Sequence, residues 1–226
     1  MRRTTPGFTL IELLIVIAVI ALLVSLAMPV VNQALHSAAK ASCVNQLRQV
    51  AAAFGSYQHQ YGLWSHKAPN NGYWEYPLGT VLPPSSPTAY WGVAYGPFLD
   101  GDRPVFRCPA ALAMYSSPGY ADWEEQPETS YGLSCYVSNK LVPTVFRKSS
   151  ETILCHDAFE HLLDGNGDML CIRSGDSINL TQWRSYAGGL FEYFRHNNQC
   201  NIAWLDCHVS SVTLCGEYPM EAYTGK

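Results

Sequence analysis

Between Phe8 and Met28 lie 21 residues, and only Thr9, Glu12 and Ser25 among them are not apolar. Wound as an α-helix at about 1.5 Å per residue, such a run is about 30 Å long, which matches the hydrocarbon core of a bilayer. No other stretch of the 226 residues is as long and as apolar. Arg2 and Arg3 precede it with no acidic residue between. Positively charged flanks stay on the cytoplasmic side, so the remainder is expected outside. The run therefore predicts a single-pass protein with a short inside and a large outside.

Glu12 does not suit a bland anchor. A carboxylate within an apolar span costs several kcal/mol and points to a function. The other reading is that it sits near the helix end and snorkels to the interface. The neighbouring residues add a family resemblance. Gly7-Phe8-Thr9-Leu10-Ile11-Glu12, behind a basic leader and ahead of an unbroken apolar run, resembles the processing site of type IV prepilins. The resemblance implies cleavage after Gly7 by a prepilin peptidase and N-methylation of Phe8. It makes Glu12 the fifth mature residue, and puts Pro29 where pilins commonly carry a helix-kinking proline. It also implies that Glu12 meets the Phe8 amine of a neighbouring subunit and so sets the register of assembly; buried ion pairs are weak stabilisers but good specifiers of register. A secretory signal peptide is the competing reading, with Ser25-Leu26-Ala27 as a small-x-small cleavage site. The apolar run exceeds the usual h-region of about 7–15 residues, and Glu12 would be unusual inside one. The mature N-terminus, Phe8 or Met28, separates the two.

After Pro29 the pattern changes. Cys43, Leu47, Val50, Phe54, Tyr57 and Tyr61 recur at helical spacing, while Asn45, Gln46, Arg48, Gln49, Ser56 and Gln58 suit a solvated face. We expect one helix from about Phe8 to Tyr61, bent or locally melted at Pro29. Two helices broken at Pro29 are the alternative. Gly62 is a stop signal.

The expected organisation is a leader at 1–7, a membrane-spanning or fibre-packing helix at 8–28, its amphipathic continuation at 29–62, and a globular head at 63–226. Pro69-Asn70-Asn71-Gly72 and Pro83-Pro84-Ser85-Ser86-Pro87 read as loops. Trp64, Trp74 and Trp91 are read as covering a small core, with carbohydrate binding as the alternative. Strands are expected at Tyr131–Val137, Thr152–His156 and Met169–Arg173. Cys200–Leu205 and His208–Leu214 read as a hairpin joined by Asp206-Cys207. The second turn residue needs a positive φ, which Cys207 adopts at some strain. The fold class is α+β: a long N-terminal helix, spanning the membrane in its first half, packed on an antiparallel sheet head with long loops. That is the pilin-like arrangement the resemblance implies.

Arg195-His196-Asn197, nine residues after His196, and Asp206-Cys207-His208-Val209 resemble the H-X9-DG element of large prepilin-type proteins, with Cys207 in place of Gly. The segments Cys43–Gln49 and Phe106-Arg107-Cys108-Pro109 are similar to parts of the same group. The resemblance implies no established activity for this element. His196 and Asp206 are expected to hydrogen-bond across the hairpin, and His208 to leave the turn as an ordinary strand residue.

Eight cysteines in a chain expected outside the membrane read as disulfides. Cys43 with Cys108 is the pairing we expect, tying helix to head, and at least one pair among Cys200, Cys207 and Cys215. Zinc is the rival reading, against which stands the lack of any Cys-x-x-Cys. His156, Asp157, His161, His196, Asp206 and His208 match no ligand spacing. Asp164-Gly165-Asn166-Gly167-Asp168 alternates oxygen-bearing residues with glycine, so Asp164, Asn166 and Asp168 are candidate Ca²⁺ ligands. Gly175 stands where an EF-hand needs Glu, and a solvated turn is the other reading. Calcium is the one cofactor considered.

The net charge of −4 argues against a nucleic-acid partner. No phosphate loop, G-x-S-x-G, H-E-x-x-H or dinucleotide fingerprint is present, so an enzyme is not expected. Two functions follow. The first is a structural subunit of a type IV pilus-like or type II secretion pseudopilus-like filament, resident in the bacterial inner membrane with its head in the periplasm. Its partners would be the prepilin peptidase and other pilin-like subunits. The second is a membrane-anchored head that binds or hydrolyses a ligand through its His and Asp residues.

Overall fold

A computed structural model of the chain describes residues 9–62, 74–75, 81–82, 91–99, 103–111, 130–138, 146–158, 162–163, 194–213 and 221–225. The chain divides into two compact units, one up to Ala38 and one from Ala39 onward. Helix α1, Leu10–Tyr61, contributes to both and is unbroken at Pro29. The local melting expected there does not occur. Proline removes one backbone donor and leaves the turns on either side intact.

In the first unit every apolar side chain from Leu10 to Leu35 is exposed, Leu10 to 82% and Val31 still to 49%. In the second unit α1 is amphipathic. Cys43, Leu47, Val50, Phe54 and Tyr57 are fully buried, and Tyr61 is partly so. Asn45, Arg48, Gln49 and Ser56 face solvent. Gly62, at φ 69°, ends the helix, its N–H donating to the Gln58 carbonyl.

Seven strands are described. β1 (Trp74–Glu75) and β2 (Val81–Leu82) form a small antiparallel pair. The main sheet runs in the order β5 (Leu162–Leu163), β3 (Tyr131–Ser134), β4 (Ile153–Asp157), β6 (Gln199–Trp204), β7 (Val209–Thr213). Four strands are mutually antiparallel, and the short edge strand β5 lies parallel to β3. The fold is thus α+β, a long N-terminal helix with an antiparallel sheet. The strand expected over Tyr131–Val137 stops at Ser134 and turns helical over Cys135–Ser138. The strand expected at Met169–Arg173 lies outside the described residues.

The sheet is covered on both faces, so β3 and β4 are buried at every position. On the α1 face, Leu133, Leu154, Cys155, Ala203 and Leu205 join the helix core. On the other, Ile153, Cys200, Ile202 and Trp204 pack with Phe194 and Tyr223. β6 divides its residues between these faces by strict alternation. β4 does not, because its register to β6 shifts between Ile153 and Cys155. That bulge lets neighbouring Leu154 and Cys155 enter the same cluster. Trp91, Tyr95 and Phe106 complete the helix-side core, Trp91 edge-on to both. The Trp91 indole N–H donates to the Tyr131 carbonyl at 3.0 Å, so this Trp serves the core.

Candidate functional site

Three places carry the residues with chemistry. The first is the start of α1. Thr9 N and Oγ1 donate to Glu12 Oε2 at 2.8 and 2.6 Å, and Glu12 N donates to Thr9 Oγ1 at 3.4 Å. This is a reciprocal capping box, in which each side chain satisfies a backbone N–H of the first turn. Its signal, Thr-x-x-Glu ahead of an apolar run, is readable in the sequence. Glu12 thus has a local partner at the helix start. Gly7 and Phe8 lie outside the described residues.

The second place is buried in the helix-side core, at the end of β4. Cys43 of α1 and Cys108 form a disulfide across 65 residues, both fully buried. His196 lies against it, Nε2 3.5 Å from Cys108 Sγ. The same Nε2 is 3.5 Å from Asp157 Oδ2, at the end of β4. Asp157 Oδ2 accepts the Asn201 N–H at 2.7 Å. Its Oδ1 stands 3.7 Å from Arg195 Nε, an ion pair with no exposure on either side. Arg195 Nη2 donates to the carbonyls of Ser130 and Ala158. Among the described residues His196 Nδ1, Arg195 Nη1 and Asp157 Oδ1 lack hydrogen-bond partners. The resemblance to the H-X9-DG element pointed to His196, and the Cys43–Cys108 pairing was the one expected. Neither singled out Asp157 and Arg195 as an ion pair, because that pairing joins segments far apart in the chain.

The turn ahead of β6 presents these residues. His196 and Gln199 exchange both backbone hydrogen bonds, at 3.2 and 3.1 Å. Asn197 and Asn198 between them have φ of 54° and 59°. Two successive left-handed residues make a type I′ turn, and asparagine tolerates that region well.

The third place is the turn after β6. Cys207 N donates to the Trp204 carbonyl at 2.9 Å, and Trp204 N to the His208 carbonyl at 2.9 Å. The loop therefore has three residues, Leu205, Asp206 and Cys207, rather than the two expected. Its left-handed position falls on Cys207, at φ 70°. Asp206 Oδ1 accepts from His208 Nδ1 at 2.5 Å and from His208 N at 3.1 Å. The His208 ring stacks on Trp204 with 5.5 Å between centroids. His208 closes the loop opposite Trp204 just ahead of β7, its side chain tied back to Asp206 and Trp204, so it is not an ordinary strand residue.

The expected bond between His196 and Asp206 is not made. One pairs with Asp157, the other with His208. The reason is length: they flank the six-residue strand β6, whose ends are about 20 Å apart. Cys200 and Cys207 are likewise not joined. Cys200 belongs to the Phe194–Tyr223 side of the sheet, and Cys207 packs on the helix side. Cys215, His161 and the proposed calcium ligands Asp164, Asn166 and Asp168 lie outside the described residues.

Burial pushes the thiols of Cys155 and Cys200 well up, with the charge of Asp157 adding to the effect. They are inert thiols at neutral pH. Burial pushes His156 down to about 4, against the opposing effect of its hydrogen bond to the Asp157 carbonyl. Neutral His156 donates from Nδ1 to that carbonyl at 2.8 Å and accepts at Nε2 from the Tyr223 hydroxyl at 3.0 Å.

Comparison with curated proteins and with solved structures gave no significant match. The family described as the prokaryotic N-terminal methylation motif matches residues 2–28, the segment that holds Gly7, Phe8, the Thr9–Glu12 capping box and the exposed apolar run of α1 as far as Met28.

Proposed function

We propose that the chain is a prepilin-like structural subunit. Prepilin peptidase cuts it after Gly7 and methylates Phe8, and the exposed apolar half of α1 holds it in the inner membrane until it packs with other such helices in a filament. The observation that carries this reading is the methylation-motif match at residues 2–28, which takes in the start of a helix whose apolar side chains from Leu10 to Leu35 have no cover among the described residues. In lipid or in a helical fibre that surface is satisfied; in water it would not remain exposed. Glu12 is the residue that distinguishes the two environments. In the fibre its carboxylate meets the Phe8 amine of a neighbour. The head, with the His196…Asp206 segment, lies in the periplasm and is a display or contact surface without chemistry of its own. The type IV pilus and the type II secretion pseudopilus both fit this architecture.

Mass spectrometry of the chain isolated from membranes tests the reading. The expected mature N-terminus is an N-methylated Phe8, and replacing Gly7 by Glu leaves the leader attached. A mature chain that begins at Met28 overturns the proposal in favour of a secreted protein.

A further inference from the structure

The filament reading leaves His196 unexplained. It is 2% exposed, its Nδ1 has no partner among the described residues, and its Nε2 stands against a disulfide. We infer that, in the chain that has not yet been oxidised, Cys43, Cys108 and His196 form a binding site for a thiophilic divalent cation of the zinc type.

The ligand atoms come from three separate segments: helix α1, the Phe106–Pro109 stretch and the turn before β6. All three lie within 4.8 Å of one another. Two thiolates and an imidazole are the donor set that zinc and cobalt(II) prefer over calcium or magnesium. With metal–sulfur and metal–nitrogen bonds of about 2.3 and 2.0 Å, the S···N edge of a tetrahedral site is about 3.5 Å. In the disulfide form the Cys108 Sγ to His196 Nε2 separation is 3.5 Å, and on reduction the two sulfurs must part to the S···S edge of about 3.8 Å that the same bond lengths give. Asp157 Oδ2, 3.5 Å from the same nitrogen, places a carboxylate at the border of the site. The absence of Cys-x-x-Cys spacing misses such a centre because no two of its ligands are near in sequence.

Disulfide and metal are alternatives at one position. Reduction of the bond by a trialkylphosphine takes one water, yields the phosphine oxide and leaves two thiols. Metal binding then releases two protons from those thiols to solvent. Either state fastens α1 to the Cys108 segment, and the metal adds the turn that carries His196. The site thus makes the staple independent of whether the chain has met an oxidant. This goes beyond the filament reading and does not rest on it.

The test uses the full chain in detergent micelles, produced in a reducing cytosol and kept under a trialkylphosphine. Cobalt(II) is titrated in and displaced with zinc. One cobalt per chain is expected, with thiolate charge-transfer absorption and the strong visible bands of a tetrahedral ion. Cys43→Ser and Cys108→Ser abolish both signals, His196→Ala weakens binding at least tenfold, and Cys200→Ser leaves them unchanged. Once the phosphine is removed under anaerobic conditions, zinc also slows formation of the Cys43–Cys108 bond by oxidised glutathione, which leaves as two glutathione thiols, at least tenfold in the unaltered chain, a measurement that needs no variant. No charge-transfer band in the reduced chain, a band indifferent to His196, or oxidation at the same rate with and without zinc overturns the proposal. The failure of any of these leaves the N-terminal processing result untouched.

Discussion

Cys207 occupies a backbone position that suits glycine. A side chain at φ 70° costs about 1–2 kcal/mol. Across from it is Gly55 of α1, where an added Cβ would lie 3.2 Å from Cys207 Sγ. The glycine expected in the turn is thus found on the helix, and the sulfur fills the space it leaves. A double-mutant cycle measures this exchange. Gly55→Ala alone is expected to destabilise, because the new methyl meets the sulfur. In a Cys207→Gly background the same change should stabilise by about 0.5–1 kcal/mol, the usual gain for alanine in a helix. Urea unfolding with equal effects in both backgrounds would show that the two residues do not sense each other. His156 makes a second prediction. Its pKa is about 4 in the folded chain against an ordinary 6.5, so the unfolded chain binds more protons between those values. Stability is then complete above about pH 6.5, falls as the pH drops towards 4, and levels off below it. The loss is on the order of 3 kcal/mol. Thermal unfolding of His156→Gln should lack that part of the decline.

At the scale of elements, β4 and β6 are joined by more than their ladder. Asp157 accepts a β6 backbone N–H and faces the Arg195 guanidinium in a site without water access. Breaking a buried pair leaves one charge uncompensated, whereas replacing both partners with apolar groups is often nearly neutral. Asp157→Ala should therefore cost about 3–5 kcal/mol. The double change Asp157→Leu with Arg195→Met should cost less than the single one, by urea unfolding. The elements differ in how plainly the sequence announces them. The buried stripe from Cys43 to Tyr57 was legible because helical periodicity is a local property of one face. So were β6, β7 and the left-handed Cys207. β3 was overread because Tyr131–Val137 is rich in apolar and aromatic residues on both sides of its end at Ser134, and a run buried on both faces has no alternation to show where it stops. The Asp157–Arg195–His196 cluster was not legible, since its geometry is made by a sheet register that includes a bulge. The Asn197-Asn198 turn was not read in advance, although two adjacent asparagines suit its left-handed positions. The three-residue loop after β6 differs from a two-residue one only in where the last ladder bond closes.

At the scale of the molecule, one helix carries two kinds of surface. From Leu10 to Leu35 its apolar side chains are exposed; from Ala39 its apolar stripe is buried and stapled by Cys43. Glu12 stands at the far end, bonded to Thr9. Variants of Glu12 separate local capping from assembly. Glutamine can fill the same place in a capping box, and alanine cannot. Glu12→Ala and Glu12→Gln should both insert in the membrane, and both should be absent from sheared or detergent-resistant filaments. Recovery of Glu12→Gln in filaments at the level of the unaltered chain would show that capping, not charge, is what assembly requires.

His196 and Asp206 mark the two ends of β6, and their separation is a length standard. Substitution within that interval changes only what a face carries. Insertion or deletion of a single residue changes parity: Cys200, Ile202 and Trp204 would exchange places with Asn201, Ala203 and Leu205, setting an amide and two small or branched side chains where a tryptophan now packs. A change of one residue in the length of this interval is therefore expected to cost more stability than any single substitution within it.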